Sequence, residues 1–147
     1  MVGSVHFCLA SAALLLGPIV LWRPKGTVSH RWLGRIWVVL LALSNLAALL
    51  LVREHGLSLF TFLALYSLVS VTAAFYLAWR KPQPSWRVWH YYLMCYGYLG
   101  VLAAALARFP VLLGMEFWLA VFGTMAITFA LGGWLTERGA RRRFFRH

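Results

Sequence analysis

Two histidines, His30 and His90, have the type and spacing to do chemistry in this chain. His30 stands in "TVSHRWLGRIW" and His90 in "SWRVWHYYLM", each at the start of a long apolar run. On a helix, His30, Gly34 and Trp37 share one face, and Trp86, His90, Met94 and Gly97 share another. A histidine followed by glycine on the same face is what a b-type haem site needs. Neutral imidazole ligates the iron, and the missing side chain leaves room for the flat macrocycle. Arg31, Arg35 and Arg87 would then neutralise the propionates through planar, two-pronged hydrogen bonds. The same residues also suit other roles. His30 with Arg35 could hold a quinone or a lipid headgroup. Alternatively, both histidines are interfacial, wet at one end and packed at the other, while Arg35 snorkels toward the headgroups.

The other polar residues within apolar runs also need partners. Asn45, beside Ser44, calls for an interhelical bond to a hydroxyl such as Ser67, Ser70 or Thr124. Glu116 follows Arg108 closely enough to pair with it, or it could act as a proton-linked carboxylate. His6, Cys8 and Glu116 belong toward one membrane face and are the remaining candidates for a metal. There is no metalloprotease, phosphate-loop, serine-triad or CxxC pattern. Only three acidic residues are left for general acid–base work.

The elements that position these residues follow from composition. The 147 residues are 63% hydrophobic and 12% charged, with a mean hydropathy of +0.77. A water-soluble domain carries roughly twice that charged fraction, so the expected solvent is lipid. Apolar runs at about 3–22, 32–52, 57–79, 88–107 and 111–135 each approach the roughly 20 residues that cross a bilayer. Uninterrupted runs of that length must be helices. Pro24, Gly26, Gly56, Pro82, Pro84 and Pro110 punctuate them. The first run has no basic leader segment and is expected to be a retained span. The fold class is therefore an all-α polytopic transmembrane bundle of about five spans over 1–138, followed by a basic tail at 139–147.

Charge sets the expected orientation. The net charge is +11, from 14 Lys+Arg against three Asp+Glu. Arg23, Lys25, Arg31 and Arg35 flank the first connection, and Arg80, Lys81 and Arg87 the third; Arg138, Arg141, Arg142, Arg143 and Arg146 lie in the tail. Only Arg53 and Arg108 fall at the other ends of the spans. The positive-inside rule then places the N-terminus outside and the C-terminus in the cytoplasm. Partners implied by these loops are anionic lipid headgroups, with no nucleic acid required. The tail "RRRFFRH" is expected on the membrane surface or against an acidic partner. Trp22, Trp32, Trp37, Trp79, Trp86, Trp89 and Trp134 would form an interfacial belt at the basic end, with Trp118 opposite. Gly97, Gly100, Ala103, Ala104, Gly114 and Gly123 would permit close helix contact. Cys8 and Cys95 belong near opposite faces, too far apart to bridge.

The stretch "LLLGPIVLWRPKGTVSHRWLGRIWVV" resembles a bacterial membrane family known as domain of unknown function 2306. The resemblance rests on His6, on Leu16-Gly17-Pro18, on Lys25-Gly26-Thr27 and on His30-Arg31-Trp32-Leu33-Gly34-Arg35. Arg87 and His90 would supply a later element, although here tyrosine follows the histidine where that family has arginine. The likeness spans about residues 4–107 and implies a multi-pass protein of the bacterial inner membrane, without implying any chemistry. Two functions follow from the sequence as a whole. One is an accessory or assembly subunit of a larger respiratory or photosynthetic membrane complex. The other is a small redox protein carrying haem b or a quinone at His30 and His90.

Overall fold

The computed structural model describes residues 2–51 and 59–145. The described chain forms α1 (Val2–Trp22), α2 (Val28–Leu50), α3 (Leu59–Arg80), α4 (Trp86–Leu106), the short α5 (Arg108–Leu112) and α6 (Phe117–Phe144). Five of these stretches are long and apolar enough to cross a membrane, one of them running through α4 and α5. Arg53 and Arg146, both used in the charge count, lie outside the described residues.

Local chemistry explains where the helices depart from the apolar runs. α2 begins at Val28 rather than 32, because the Thr27 hydroxyl accepts from the His30 amide at 3.1 Å and caps the first turn. α3 ends where Lys81 takes a left-handed φ of 49° ahead of Pro82. The fifth span starts at Phe117 rather than 111. Pro110 belongs to α5, Gly114 turns with φ 86°, and the Glu116 carboxylate caps α6. Gly114 therefore serves a turn and not a helix contact. α6 then continues to Phe144, through much of the segment expected as a separate tail.

α1 packs on α2, α2 on α3 and α3 on α4, while α4 also touches α1 and carries α6. The core lies among the first four helices, where Ala13, Val20, Trp37, Val38, Leu41, Val71, Ala74 and Met94 are buried together. Outward positions are apolar as well: Leu15, Trp22, Phe62, Leu113 and Leu119 are among those exposed. In water this surface would aggregate; in lipid it is the ordinary outer face of a bundle.

Lipid offers no driving force for apolar helices to meet, so contact depends on close packing and hydrogen bonds. Both are present. Gly17 receives the Tyr98 ring, Gly132 the Leu99 side chain and Gly139 the Tyr91 hydroxyl, while a Cβ on Gly97 would sit 3.2 Å from Val71. Side-chain hydrogen bonds tie the helix pairs. His6 Nδ1 lies 2.9 Å from the Ser44 carbonyl, joining α1 to α2. Asn45 donates to Ser67 Oγ at 3.0 Å, joining α2 to α3, so one of the expected hydroxyls is the partner. His90 Nδ1 meets the Ala74 carbonyl at 2.8 Å, joining α3 to α4. Tyr91 donates to the Thr136 carbonyl and Tyr92 to Glu137, joining α4 to α6.

Candidate functional site

The C-termini of α1, α3 and α6 and the N-termini of α2 and α4 share one end of the bundle. That end holds nearly all the described cations. The sequence-selected residues are all there, but they do not converge. Arg31, Arg35 and Arg87 are exposed. The Arg35 guanidinium lies over the Trp32 ring at 5.3 Å, one helical turn toward the basic end, as a snorkelling side chain should. Arg87 lies over Trp86 at 5.6 Å, Arg80 over Trp79 at 5.6 Å and Arg138 over Trp134 at 5.3 Å. A belt of stacked cations and indoles therefore surrounds the basic end.

The two histidines behave differently from each other. His90 is half-buried and spends Nδ1 on the Ala74 carbonyl. His30 is also half-buried, near the Val20 carbonyl, and its Nδ1 is buried without a hydrogen-bond partner. His30 lies within electrostatic range of His90, Lys25 and Arg143. The macrocycle expected between the rings has no matching recess among the two best-defined ones of the described residues. One, about 370 Å³, is an apolar groove lined by Tyr66, Val88, Trp89, Tyr92, Leu93 and Tyr96. The other, about 330 Å³, is lined by Trp134, Glu137, Arg138, Arg141 and Arg142. Neither includes His30 or His90.

Lys25, counted in the first connection but not among the candidate site residues, lies at the same end. Its ammonium turns back onto the end of α1, donating to the Leu21 carbonyl at 2.7 Å and the Val20 carbonyl at 3.1 Å. The partial negative charge of a helix C-terminus favours a cation there. Burial of the ammonium, and then the nearby Arg143, push its pKa down to about 8. Arg143 itself lies over the Tyr91 ring at 5.5 Å. Tyr91 also meets Phe144 edge to face at 5.7 Å. The expected surface tail is thus a helical turn folded against the start of α4, because Tyr91 fills the space beside Gly139. Long-range proximity of Lys25 and Arg143 leaves no signal in local spacing, which is why sequence reasoning passed over it.

Other expectations resolve at the opposite end. Glu116 accepts from the Leu119 amide at 2.7 Å and does not pair with Arg108. Among the described residues the ion pair present is Arg141–Glu137, at 3.1 Å. His6 is engaged with Ser44, and no group of three metal-ligating side chains forms among the described residues. Both cysteines are free, Cys8 exposed and Cys95 buried. Trp37, expected in the interfacial belt, is only 1% exposed and donates its indole N–H to the Ala13 carbonyl at 2.8 Å. Compared with known proteins, the chain matches no family model, no curated protein and no solved structure.

Proposed function

We propose that this chain is a multi-pass protein of the bacterial inner membrane whose basic end faces the cytoplasm, and that it acts as an accessory or assembly subunit of a larger membrane complex. The observation that carries the reading is a glycine on α6 that no neighbour in the chain packs against. This helix packs chiefly on α4. Trp118, Leu119, Phe122, Ile127, Leu131 and Leu135 remain exposed along it. Gly123 sits on the same helix, where an added Cβ would meet nothing within 4 Å. A glycine that serves no contact inside the chain is available to a helix from another subunit. The charge asymmetry supports the orientation, and the resemblance to domain of unknown function 2306 supports the membrane setting.

The test is crosslinking in the native membrane followed by copurification in mild detergent. Wild-type protein is expected to recover in a species larger than itself. The Cβ of Gly123→Leu meets nothing within 4 Å in the bundle, so the variant is expected to keep the chain's own fold yet lose that species. Recovery of wild-type protein alone would end the subunit reading.

A further inference from the structure

We propose that Arg138 and Arg142 hold the phosphate of one anionic phospholipid in the recess at the basic end of α6, while an acyl chain of that lipid lies in the apolar groove along α4. This site rests on the multi-pass reading and is independent of the subunit reading. Gly123 and Arg138 stand about 22 Å apart along α6, so a partner helix and the lipid do not compete.

Three observations carry it. The first is the recess itself, about 330 Å³ and walled by Trp134, Glu137, Arg138, Arg141 and Arg142. Spaced three and four apart on α6, these side chains share one face, where three guanidiniums meet one carboxylate. The second is how that carboxylate is spent. Glu137 accepts from the Tyr92 hydroxyl at 2.7 Å and from Arg141 Nε at 3.1 Å. Among the described residues, Arg138 and Arg142 have no carboxylate partner. The Arg138 guanidinium lies over the Trp134 ring at 5.3 Å, and neither arginine donates a side-chain hydrogen bond within the described chain. Two guanidiniums so placed are a donor set for phosphate, which each can grip with paired N–H bonds. The third is what adjoins the recess. Tyr92, bonded to Glu137, also lines a groove of about 370 Å³ together with Tyr66, Val88, Trp89, Leu93 and Tyr96. A basic recess and an apolar groove therefore meet at one hydrogen bond.

Their order along the bundle is that of a lipid. Arg141 and Arg142 stand a turn beyond Glu137 toward the basic end, where the exposed Trp89 and Trp134 mark headgroup depth. The groove starts at Val88, near the first residue of α4, and reaches Tyr96, about 12 Å further into the span. A free phosphate would use the arginines but not the groove. A zwitterionic lipid would bring a cation of its own to an already basic recess. An anionic phospholipid matches both surfaces.

The experiment is a native mass-spectrometric titration of the delipidated full chain, released from mild detergent, with dioleoyl phosphatidylglycerol or dioleoyl phosphatidylcholine. One phosphatidylglycerol is expected to bind in preference to phosphatidylcholine. Arg138→Gln and Arg142→Gln should each weaken that binding about fivefold, the share of one cation near an anionic lipid surface. Arg142→Lys keeps the charge and should retain most of the affinity. Arg80→Gln, at the same end but stacked on Trp79 outside the recess, should leave binding unchanged. Val88→Trp places bulk in the groove and should weaken phosphatidylglycerol with the arginines intact. These positions are exposed or half-buried, so melting midpoints before lipid addition should match wild type, which separates lost binding from lost folding. Equal binding of the two lipids, an equal loss from Arg80→Gln, displacement of the lipid by equimolar inorganic phosphate, or full binding by Val88→Trp would overturn the proposal and leave the five spans untouched.

Discussion

Asn45 and His30 show what lipid demands of a single polar side chain. Asn45 is 6% exposed and meets its demand through Ser67 on the neighbouring helix. Replacing it with alanine leaves the Ser67 hydroxyl without that donor. The expected loss is about 0.6–1 kcal/mol, the usual range for such bonds between membrane helices, measurable by unfolding in mixed micelles. A double-mutant cycle with Ser67→Ala should return most of that value as coupling. His30 lies against the Val20 carbonyl, with its Nδ1 buried and outside hydrogen-bond geometry. Neither of the described recesses opens onto His30 or His90, so a dithionite-reduced minus oxidised spectrum is expected to be flat. A sharp b-type band that disappears in both His30→Ala and His90→Ala would replace this reading with a redox one. Sequence made the need of Asn45 plain because an amide in mid-span has few alternatives. It could not separate Trp37 from the interfacial tryptophans, since indole suits both a headgroup zone and a buried bond to a carbonyl such as that of Ala13.

At the scale of the helix, Leu16-Gly17-Pro18 acquires a physical meaning. Pro18 has no N–H, so the Leu14 carbonyl one turn earlier loses its helical donor. Tyr98 of α4 donates to that carbonyl at 3.3 Å. Gly17 leaves the space its ring occupies. Proline, glycine and tyrosine thus form one joint between α1 and α4. Tyr98→Phe is expected to cost about 1 kcal/mol, the net value of one hydrogen bond. Adding Pro18→Ala should recover most of that loss, because alanine restores the donor to Leu14. Non-additive recovery in a chemical unfolding series would establish the joint; strictly additive losses would dissolve it. Gly17→Ala should destabilise far more than Gly34→Ala, since a Cβ at Gly34 finds only Val20, at 3.9 Å. Glu116 makes a parallel case at the start of α6. The backbone amides of Leu119 and Trp118 hold its carboxylate pKa below the ordinary 4.5. A lowered folded pKa means the cap is fully present above the unfolded value and is lost as pH falls through the folded one. The protection of the Leu119 amide, the slowing of its exchange relative to an unstructured amide at the same pH, should therefore fall on acidification. Glu116→Ala should remove that pH dependence. The helix itself was legible from its apolar run, but the cap was not, because Arg108 offered the carboxylate a plausible alternative partner eight residues earlier.

For the whole molecule, apolar runs specify five spans because a bilayer admits few other solutions, and the structure follows them. The reach of α6 through the basic segment was illegible, since it depends on Tyr91 packing against Gly139 and Phe144, far away in sequence. The same distance hid Lys25 from Arg143. Charge asymmetry is a property of the whole chain, and the proposed orientation depends on it. Impermeant thiol labelling in intact bacterial cells tests that orientation most directly. In a Cys8→Ser, Cys95→Ser background, single cysteines replace Gln83 at the basic end and Met115 at the other, both exposed positions. Met115→Cys is expected to label in intact cells, and Gln83→Cys only after the membrane is opened. Labelling of Gln83→Cys in intact cells, with Met115→Cys protected, would contradict the proposed orientation.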